Sequence, residues 1–406
     1  MFKKNYGRSS SFGKPNFGKP NFRRGKGFGK RGNSYRDNSQ HISISRFICK
    51  AQPVADIKPY ESEYQFVDFL INDHLKRNIS KKGYISPTPI QDKIIPLVLN
   101  GSDVVGVANT GTGKTAAFLI PLINKVLANP NEKVLIVVPT RELAAQINTE
   151  FMDFRGVLKI FSACCVGGMP IRQQISSLRQ THNFVIGTPG RLKDLTNREV
   201  IKLSSFGTIV LDEADRMLDM GFVDDMRFIM SKMANNRQTL LFSATITSVI
   251  DKLINEFLRE PINILVKTSE IPRNIDQDVV KTKRGEEKIE ALYNLLNQPD
   301  FNKVLIFGRT KNGVEELFKL LVGRGFKAEA IHGDKNQPNR QRALSMFKSD
   351  RSQILVATDV AARGLDIPNV SHVINYDIPA TYKDYIHRIG RTGRADKVGK
   401  ALTFVD

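Results

Sequence analysis

Short apolar runs, each long enough for a strand but not for a helix, recur along the chain from about residue 66. Continuous apolar runs of this length are typical of parallel strands that are buried on both faces of a sheet. The sequence predicts two sets of such strands. The first set is 134–138, 184–186, 208–211 and 239–242, and the second set is 304–307, 328–331, 354–357 and 373–376.

The segments between these runs have the apolar spacing of helices. Residues 142–154 form one such segment. In the second set, Val314, Leu317, Phe318 and Leu321 fall on one helical face through their spacing. Alternation of strand and helix in both halves predicts two tandem, doubly wound α/β domains, each built on a parallel sheet. Two such domains enclose a cleft, where we expect a ligand to bind.

The same pattern divides the chain into a tail, two domains and two connections. The joint between the domains is placed where Ser269, Pro272 and Asn274 interrupt the apolar runs. The predicted segments are a tail at 1–45, a connecting segment at 46–65, a first domain at 66–268, a linker at 269–276 and a second domain at 277–406. The mixed apolar and basic residues 42–51 either dock on a partner or simply join the tail to the first domain.

The tail is rich in Gly, Arg, Lys and Phe, and the unit Phe-Gly-Lys-Pro-Asn is repeated between residues 12 and 22. Such a composition opposes helix and strand, so we expect the tail to be disordered. Of the net charge of +20, much lies in residues 1–50, which hold 13 Lys and Arg against a single Asp. Aromatic rings among cations suit base stacking and phosphate attraction, which favours nucleic-acid binding over a purely solubilising role. The tail could also recruit protein or ribonucleoprotein partners.

Other features of the sequence narrow the class of protein. No apolar run approaches the length of a membrane span, and the basic N-terminus has no apolar segment of a secretory signal. Three cysteines, two of them adjacent, provide neither a disulfide framework nor metal-ligand spacing. The sequence therefore predicts a cytoplasmic protein without a membrane partner.

A predicted strand at 103–108 leads into a glycine-rich loop and then an apolar helix, which is the context that a phosphate-binding loop requires. Backbone N–H groups of such a loop surround phosphates at the positive end of the following helix. Lys114 would neutralise the β- and γ-phosphates, and the hydroxyl of Thr115 would ligate Mg²⁺. The residues expected to bind ATP here are Ala108, which replaces the usual first glycine, and Asn109, Thr110, Gly111, Thr112, Gly113, Lys114 and Thr115.

Acidic residues follow the predicted strand 208–211 directly, at 212–215. Carboxylates at the C-terminal tip of a strand in an open α/β sheet face the ligand crevice. Asp212 would hold Mg²⁺ through water, and Glu213 would orient or deprotonate the attacking water. The alternative is a solvated helix start, which the upstream phosphate loop makes less attractive.

Together, these residues resemble the DEAD-box ATP-dependent RNA helicases, and further motifs of that family follow in order. One motif alone is only suggestive, whereas the whole set in register is highly specific. The motifs lie at 83–91, 108–115, 139–143, 167–168, 188–191, 212–215, 243–245, 305–307, Gln337 with Arg340, 358–366 and 387–394, with Phe66 as the isolated upstream aromatic. The resemblance implies two RecA-like domains, with ATP and Mg²⁺ as cofactors.

The resemblance also implies roles around the nucleotide. The amide of Gln91 matches the donor and acceptor on the edge of adenine, and Phe66 would stack on its face. Asp366 would hold the ribose. Arg388 and Arg391, three residues apart on a helix, would act as arginine fingers on the γ-phosphate. The residues expected to couple the domains are Asp215, Ser243, Thr245 and His387, while Arg394 is expected to be a structural ion-pair partner.

RNA contacts are expected from both domains, mainly to the strand backbone. Hydroxyls, backbone amides and arginines position phosphates without reading bases, so binding should be largely independent of sequence. The expected RNA-binding residues are Thr140, Arg141, Gly168, Thr188, Arg191, Arg309, Gln337, Arg340 and Thr358. The implied activity is RNA-dependent ATP hydrolysis that unwinds or remodels RNA duplexes and RNA–protein complexes through domain closure.

Three alternatives and two departures accompany this hypothesis. The alternatives are a DNA helicase or translocase, an ATP-gated RNA clamp without unwinding activity, and an annealing protein dominated by its basic tail. Asn109 and Thr112 stand where many members of the family have Gln and Ser, but the phosphate cradle uses backbone amides and is unaffected. Family members normally continue beyond an outer strand such as 401–406, so we expect either a minimal second domain or a fragment.

Overall fold

A computed structural model describes residues 42–51, 60–109, 111–266, 274–283, 285–362, 367–393 and 398–405. Several sequence predictions fall outside these residues. They concern most of the expected tail, most of the expected linker at 269–276, and the site residues Thr110, Asp366 and Arg394.

The first sheet has seven parallel strands in the order β3-β4-β2-β5-β6-β1-β7. Its strands are β1 Val104–Val107, β2 Val134–Val137, β3 Ser162–Cys165, β4 Phe184–Gly187, β5 Thr208–Leu211, β6 Gln238–Ser243 and β7 Ile262–Leu265. The accompanying helices are α1 Asp73–Lys81, α2 Pro89–Leu99, α3 Lys114–Ala128, α4 Arg141–Arg155, α5 Ile171–Arg179, α6 Pro189–Asn197, α7 Ala214–Asp219, α8 Val223–Lys232 and α9 Ser248–Phe257. Each predicted apolar run of the first half lies in one of the central strands.

The second sheet has six parallel strands in the order β10-β11-β9-β12-β13-β8. Its strands are β8 Ile275–Lys281, β9 Val304–Gly308, β10 Ala328–Ile331, β11 Ile354–Thr358, β12 His372–Asn375 and β13 Gly399–Val405. Its helices are α10 Glu286–Leu296, α11 Lys311–Gly323, α12 Gln337–Lys348, α13 Asp359–Ala362 and α14 Tyr382–Ile389. The prediction of two parallel-sheet α/β domains is confirmed.

Apolar clusters cover both faces of each sheet, which explains why the central strands are apolar throughout. In the first domain, Phe118 of α3 packs against Phe242 of β6 with ring centroids 5.4 Å apart. In the second, Val314, Leu317 and Leu321 of α11 are buried as the helical spacing predicts. No helix in the described part of the chain is both long and apolar enough to cross a membrane.

The sequence pattern was weakest at the edges of the sheets. Strand β7 is mostly exposed, and β8 mixes polar with apolar residues, so neither has a continuous apolar run. Strand β8 begins at Ile275, inside the segment expected to be a linker. The last predicted run is shifted by one residue, because Asn375 ends β12 and Tyr376 follows it. An edge strand has one neighbour instead of two and needs less apolar surface.

Candidate active site

The phosphate loop lies between β1 and the N-terminus of α3. Gly111 and Gly113 have positive φ angles of 84° and 91°, a conformation that glycine adopts without strain. A Cβ at Gly113 would also collide with the side-chain amide of Gln91. Lys114 is buried, and its Nζ donates a hydrogen bond of 2.9 Å to the carbonyl oxygen of Ala108. The loop therefore holds its cation at the positive end of a helix, where a phosphate is stabilised.

The predicted adenine-binding motif contacts this loop directly. Nε2 of Gln91 donates to the carbonyl of Gly113 at 3.1 Å, and Oε1 accepts from the backbone N–H of Thr88 at 2.9 Å. The Thr88 hydroxyl donates to the carbonyl of Thr112 at 2.8 Å. Thr88 and Gln91 thus form hydrogen bonds with two residues of the phosphate loop, Thr112 and Gly113. The residues expected to bind adenine are therefore linked to the conformation of that loop.

Phe66 is packed into the first domain more deeply than the stacking role alone requires. Its ring is 4% exposed and meets Phe69 and Tyr84 edge to face, with centroids 5.9 and 5.7 Å away. Such contacts stabilise the segment that carries Phe66. Stacking on adenine stays a prediction.

The sequence analysis missed Asp92, which fastens the segment before Phe66 to α2. The carboxylate of Asp92 is 2% exposed and accepts from the hydroxyl of Tyr60 at 2.6 Å and from the backbone N–H groups of Glu63 and Tyr64 at 2.9 and 3.1 Å. Burial, together with the Asp92 carboxylate, raises the pKa of Tyr60 to about 12. The sequence did contain a signal for this role, namely an acidic residue near the start of a mostly apolar helix.

The candidate metal carboxylate, Asp212, follows the end of β5. It is 3% exposed, and its Oδ1 accepts from the backbone N–H of Glu213 at 2.9 Å. Burial raises the pKa of Asp212 to about 6, while nearby Lys114 acts in the opposite direction and Glu213 adds to the rise. A buried carboxylate and the Thr115 hydroxyl are oxygen ligands of the kind that Mg²⁺ prefers, so these residues fit the expected ion.

Glu213 is held by a partner that the sequence analysis did not name. It has a left-handed backbone conformation with φ of 54° and precedes α7. Its carboxylate forms an ion pair with Arg216, and both side chains are almost fully buried. The left-handed turn at Glu213 and its ion pair with Arg216 hold this carboxylate near Asp212.

The four residues expected to couple the domains lie together. The hydroxyl of Thr245 donates to Oδ2 of Asp215 at 3.1 Å, and the hydroxyl of Ser243 donates to the carbonyl of Thr245 at 2.7 Å. His387 of α14 reaches this cluster from the second domain. Burial and the charge of nearby Arg216 lower the pKa of His387 to about 4, although Asp215 opposes the shift. His387 is therefore neutral at pH 7.

Lys383, also on α14, makes a second contact with the same region. Its Nζ lies 3.4 Å from Oδ2 of Asp219 and 4.0 Å from Oδ2 of Asp215. No sequence motif indicated a role for Lys383. Its contacts are known only from the structure, in which α14 lies near α7.

Arg388 differs from the expectation. Its guanidinium is 2% exposed and forms a two-pronged ion pair with Asp359, with Nε and a terminal nitrogen 2.6 and 2.7 Å from the two carboxylate oxygens. The other terminal nitrogen donates to Oδ1 of Asn375 and to the carbonyl of Asp377. These acceptors all belong to the second domain, so in this structure Arg388 braces α14 against β11 and β12 and does not face the phosphate loop. Arg391 is 3% exposed, and its Nε donates to the carbonyl of His387 at 3.3 Å.

A cavity of about 430 Å³ lies between the domains on the side of the predicted RNA contacts. The N-termini of α4 and α6, which follow Thr140 and Thr188, open onto it and favour anions. Its lining includes Thr140, Arg141, Gly167, Thr188, Arg191 and Arg340. Gly168 has a φ angle of 73°, and a Cβ there would collide with the guanidinium of Arg141. The cavity thus combines helix N-termini and arginines, which favour phosphates, with two carboxylates, Glu142 and Asp194, that pair with Arg340 and Arg191.

Glu142 joins the domains beside this cavity. Its carboxylate accepts from Nε2 of Gln337 at 3.2 Å and pairs with a terminal nitrogen of Arg340 at 2.9 Å. The sequence analysis assigned Gln337 and Arg340 to RNA but gave no role to Glu142. Two other expected RNA contacts lie apart from the cavity lining: Arg309 follows β9 and contacts Asp377 and Ile378, and Thr358 ends β11.

Comparisons with known proteins agree with this geometry. Residues 88–253 match the DEAD/DEAH box helicase family, and residues 287–396 match the helicase conserved C-terminal domain. The ATP-dependent RNA helicase CshA of Limosilactobacillus reuteri is 46% identical over 343 residues, which cover 84% of this chain and 69% of that protein.

Solved structures extend the likeness to the fold. A DEAD box protein from the hyperthermophile Methanococcus jannaschii is 41% identical, with a TM-score of 0.50 over 84% of this chain and 93% of that one. Mss116p bound to single-stranded RNA and AMP-PNP is 33% identical, with a TM-score of 0.77 over 88% and 77%. S. cerevisiae Dbp5 bound to RNA and ADP BeF₃ is 30% identical, with a TM-score of 0.74 over 84% and 89%.

Two parallel-sheet domains, a phosphate loop and buried acids beside it define an ATP-using motor of the helicase class. Within that class, the matching family models and the 46% identical relative decide the family. The chain belongs to the DEAD-box RNA helicases.

Proposed function

We propose that this DEAD-box RNA helicase hydrolyses ATP in the cleft between its domains, and that ATP and RNA jointly stabilise the closed arrangement. The observation that carries the proposal is the pair of contacts between domains, Glu142 with Arg340 and Asp215 with His387 and Lys383. One lies beside the candidate RNA cavity and the other beside the candidate catalytic acids. A movement that separates the domains would disturb both, so the two ligands should act on one equilibrium.

Comparison with solved structures supports a closed arrangement here. The TM-score is 0.77 to Mss116p, which was solved with RNA and AMP-PNP, and 0.50 to the M. jannaschii protein, although the latter is more similar in sequence. Sequence similarity does not account for this difference in TM-score, so we take it as support for domains arranged as in the neighbour with RNA and AMP-PNP.

In the proposed mechanism, Lys114 exchanges its bond to the Ala108 carbonyl for the β- and γ-phosphates of ATP. Thr115 and Asp212 would hold Mg²⁺, which neutralises the charge that develops on the transferred phosphoryl group. Glu213 orients the attacking water and accepts its proton. The ion pair with Arg216 holds the Glu213 carboxylate near Asp212.

We assign the γ-phosphate contact to Arg391 and a bracing role to Arg388. The Arg388 guanidinium is bonded to Asp359, Asn375 and Asp377, and releasing it would break these hydrogen bonds and leave Oδ1 of the buried Asn375 without this donor. A finger of the kind proposed for Arg391 contributes about 10³- to 10⁵-fold to turnover.

On the RNA side, phosphates would occupy the cavity between α4, α6 and α12. Helix N-termini and arginines bind phosphates without reading bases, so affinity should be largely independent of sequence and should fall as salt rises. Closure around one strand would bend it and expel its complement locally. The basic residues 1–45 would add affinity for RNA or recruit ribonucleoprotein partners.

The test is RNA-stimulated ATP hydrolysis and duplex unwinding by the wild type and by Glu213→Gln. We expect RNA to accelerate hydrolysis by the wild type, and we expect Glu213→Gln to lose hydrolysis while still binding RNA in an ATP-dependent way. Equal ATPase rates with and without RNA would contradict the coupling. ATP-dependent RNA binding without unwinding by the wild type would instead indicate a clamp.

Two further comparisons separate the remaining alternatives. RNA and DNA oligonucleotides of one sequence should compete unequally under ATP, since only RNA offers a 2′-hydroxyl. Deleting residues 1–45 should weaken RNA binding but leave its dependence on ATP. If the deletion abolished all RNA binding, the tail rather than the two domains would be the RNA-binding part of the protein.

A further inference from the structure

Residues 42–51, which we call the strap, precede the first domain in sequence but lie on the second domain. The side chain of Phe47 is completely buried there, between Ile275 of β8 and Tyr385 and Ile389 of α14. The rings of Phe47 and Tyr385 meet edge to face with centroids 4.8 Å apart. A fully buried aromatic ring is a strong anchor, since its burial removes a large apolar area from water.

The backbone of the strap pairs with the edge of the second sheet. The N–H of Cys49 donates to the carbonyl of Gln277 at 3.0 Å, and the N–H of Gln277 donates to the carbonyl of Cys49 at 2.7 Å. This antiparallel bridge covers β8, which is an edge strand with β13 as its neighbour in the sheet. The strap therefore has both a buried side chain and main-chain hydrogen bonds holding it in one register.

Charged side chains of the strap contribute smaller contacts. Nζ of Lys50 lies 3.4 Å from Asp276 and 3.7 Å from Asp278, and the Arg46 guanidinium lies 4.8 Å from the ring centroid of Tyr382. Lys50 is largely exposed, so its ion pairs are weak. The buried ring of Phe47 is the contact on which docking depends most.

The strap lies on the second domain, a few residues before the chain attaches to the first domain. On the second domain it holds β8, the first strand after the connection from the first domain, and α14, which carries His387 and Arg388. On the first domain the chain is fixed again at Tyr60, whose hydroxyl donates to Asp92 of α2. Only residues 52–59 lie between these two attachments, a span that cannot exceed roughly 30 Å even when fully extended.

We infer that the strap is a second tether between the domains, which positions α14 for closure and restricts how far the cleft opens. One connection through 267–273 leaves the second domain free to rotate, whereas two short connections at different points exclude most open arrangements. Fewer open arrangements mean a smaller entropic penalty on closing, so less RNA is needed to reach the closed state. The inference rests on the domain closure proposed above.

The first test replaces the anchor. Phe47→Ala should release the strap, and Ile48→Ala is the matched control because Ile48 is 47% exposed on the same segment. We expect Phe47→Ala to raise the RNA concentration for half-maximal ATPase stimulation about five-fold or more, with the rate at saturating RNA largely retained. Hydrogen exchange at the Gln277 amide reports docking directly and should accelerate in Phe47→Ala but not in Ile48→Ala.

The second test keeps every docking contact and relaxes only the tether. An insertion of about twelve Gly and Ser residues between Ala55 and Asp56 makes the connection between the strap and the first domain longer and more flexible. The tether predicts the same rise in RNA requirement as for Phe47→Ala, while the Gln277 amide stays protected. If the insertion leaves the RNA requirement at the wild-type value, the strap merely packs on the second domain and the inference is wrong.

A third measurement separates this inference from the proposed function. Fluorophores on the two domains of the RNA-free protein should show longer and more variable distances after the insertion, whether or not RNA stimulates hydrolysis. An unchanged distance distribution would refute the tether, whereas a wild type without RNA stimulation would refute the proposed coupling alone.

Discussion

Lys114 in the first domain and Arg388 in the second are both buried cations of the cleft-forming motifs, yet their partners are very different. Lys114 donates to one neutral carbonyl, that of Ala108. Arg388 is bonded through both prongs to the carboxylate of Asp359 and also to Asn375 and Asp377. A phosphate easily displaces a carbonyl as a partner, whereas moving Arg388 would break several hydrogen bonds between its buried guanidinium and the second domain. Lys114 is therefore available for ATP, and Arg388 is committed to the fold.

The largest expected effect tests the conclusion that Arg388 stabilises the fold. Arg388→Ala should destabilise the protein by about 3 kcal/mol or more, because it removes several hydrogen bonds of a buried guanidinium, each of about 1.5–3 kcal/mol, and leaves Oδ1 of the buried Asn375 without this donor. Chemical denaturation measures the loss. The control is Arg309→Ala, since Arg309 is exposed and bonded mainly through its backbone, and it should leave stability nearly unchanged. If Arg388→Ala unfolds like the wild type, Arg388 is free to act as a finger.

Lys114→Ala tests the conclusion that Lys114 is available for ATP. We expect turnover of ATP to fall by about 10²- to 10³-fold or more, because a charge-stabilising group is lost from the transition state. The unfolding midpoint should change little, since Lys114 gives up only one bond to a neutral carbonyl. Steady-state ATPase rates and thermal unfolding on the same samples make the comparison. If the Lys114→Ala protein unfolded at a clearly lower temperature but still hydrolysed ATP, Lys114 would be a structural residue and not a catalytic one.

The next largest effect is expected at the contact of Glu142 with Gln337 and Arg340. Glu142→Gln removes a buried charge that accepts two hydrogen bonds between domains, and bonds to charged groups contribute about 1.5–3 kcal/mol. Closure measured by an interdomain distance should become less favourable. Combining the change with Arg340→Gln gives a double-mutant cycle, in which additive effects would show that the two residues do not interact.

A smaller effect is expected from Lys383 and Asp219, whose side chains are 35% and 44% exposed. Lys383→Glu should weaken closure by roughly 0.2–1 kcal/mol, and adding Asp219→Lys should restore most of it. High salt should erase the difference, because exposed charges are screened. Failure of the charge exchange to restore closure would mean that Lys383 only lies near Asp219.

The last effect concerns pH and is absent at pH 7. Burial lowers the pKa of His372 to about 4 from the ordinary 6.5, with nearby Asp300 opposing the shift. Between these values the unfolded chain binds a proton that the folded protein does not, so stability should fall as pH drops from 6.5 toward 4. His372→Gln should flatten this dependence in denaturation curves at several pH values. The same slope in both proteins would show that His372 is not its source.

Short motifs could be recognised in the sequence because their residues are close together in the chain. The phosphate loop, the acids at 212–215 and the helix with His387 are short motifs, and the central strands are apolar because helices cover both faces. Edge strands β7 and β8 were missed because they lack that apolar requirement. Asp92, Arg216 and Lys383 were missed because each lies just outside a motif and its partners become known only from the structure.

The sequence by itself determined that the chain has two parallel-sheet domains and the motifs of an ATP-dependent RNA helicase. Only the tertiary structure decided how each charged residue is used. Arg388 meets Asp359 across 29 residues, and Glu142 meets Gln337 across 195. Local periodicity carries no information about such pairings, because burial and the position of the opposite charge decide whether a cation serves the ligand or the fold. The docking of Phe47 on the second domain was likewise left open until the structure placed its ring beneath α14.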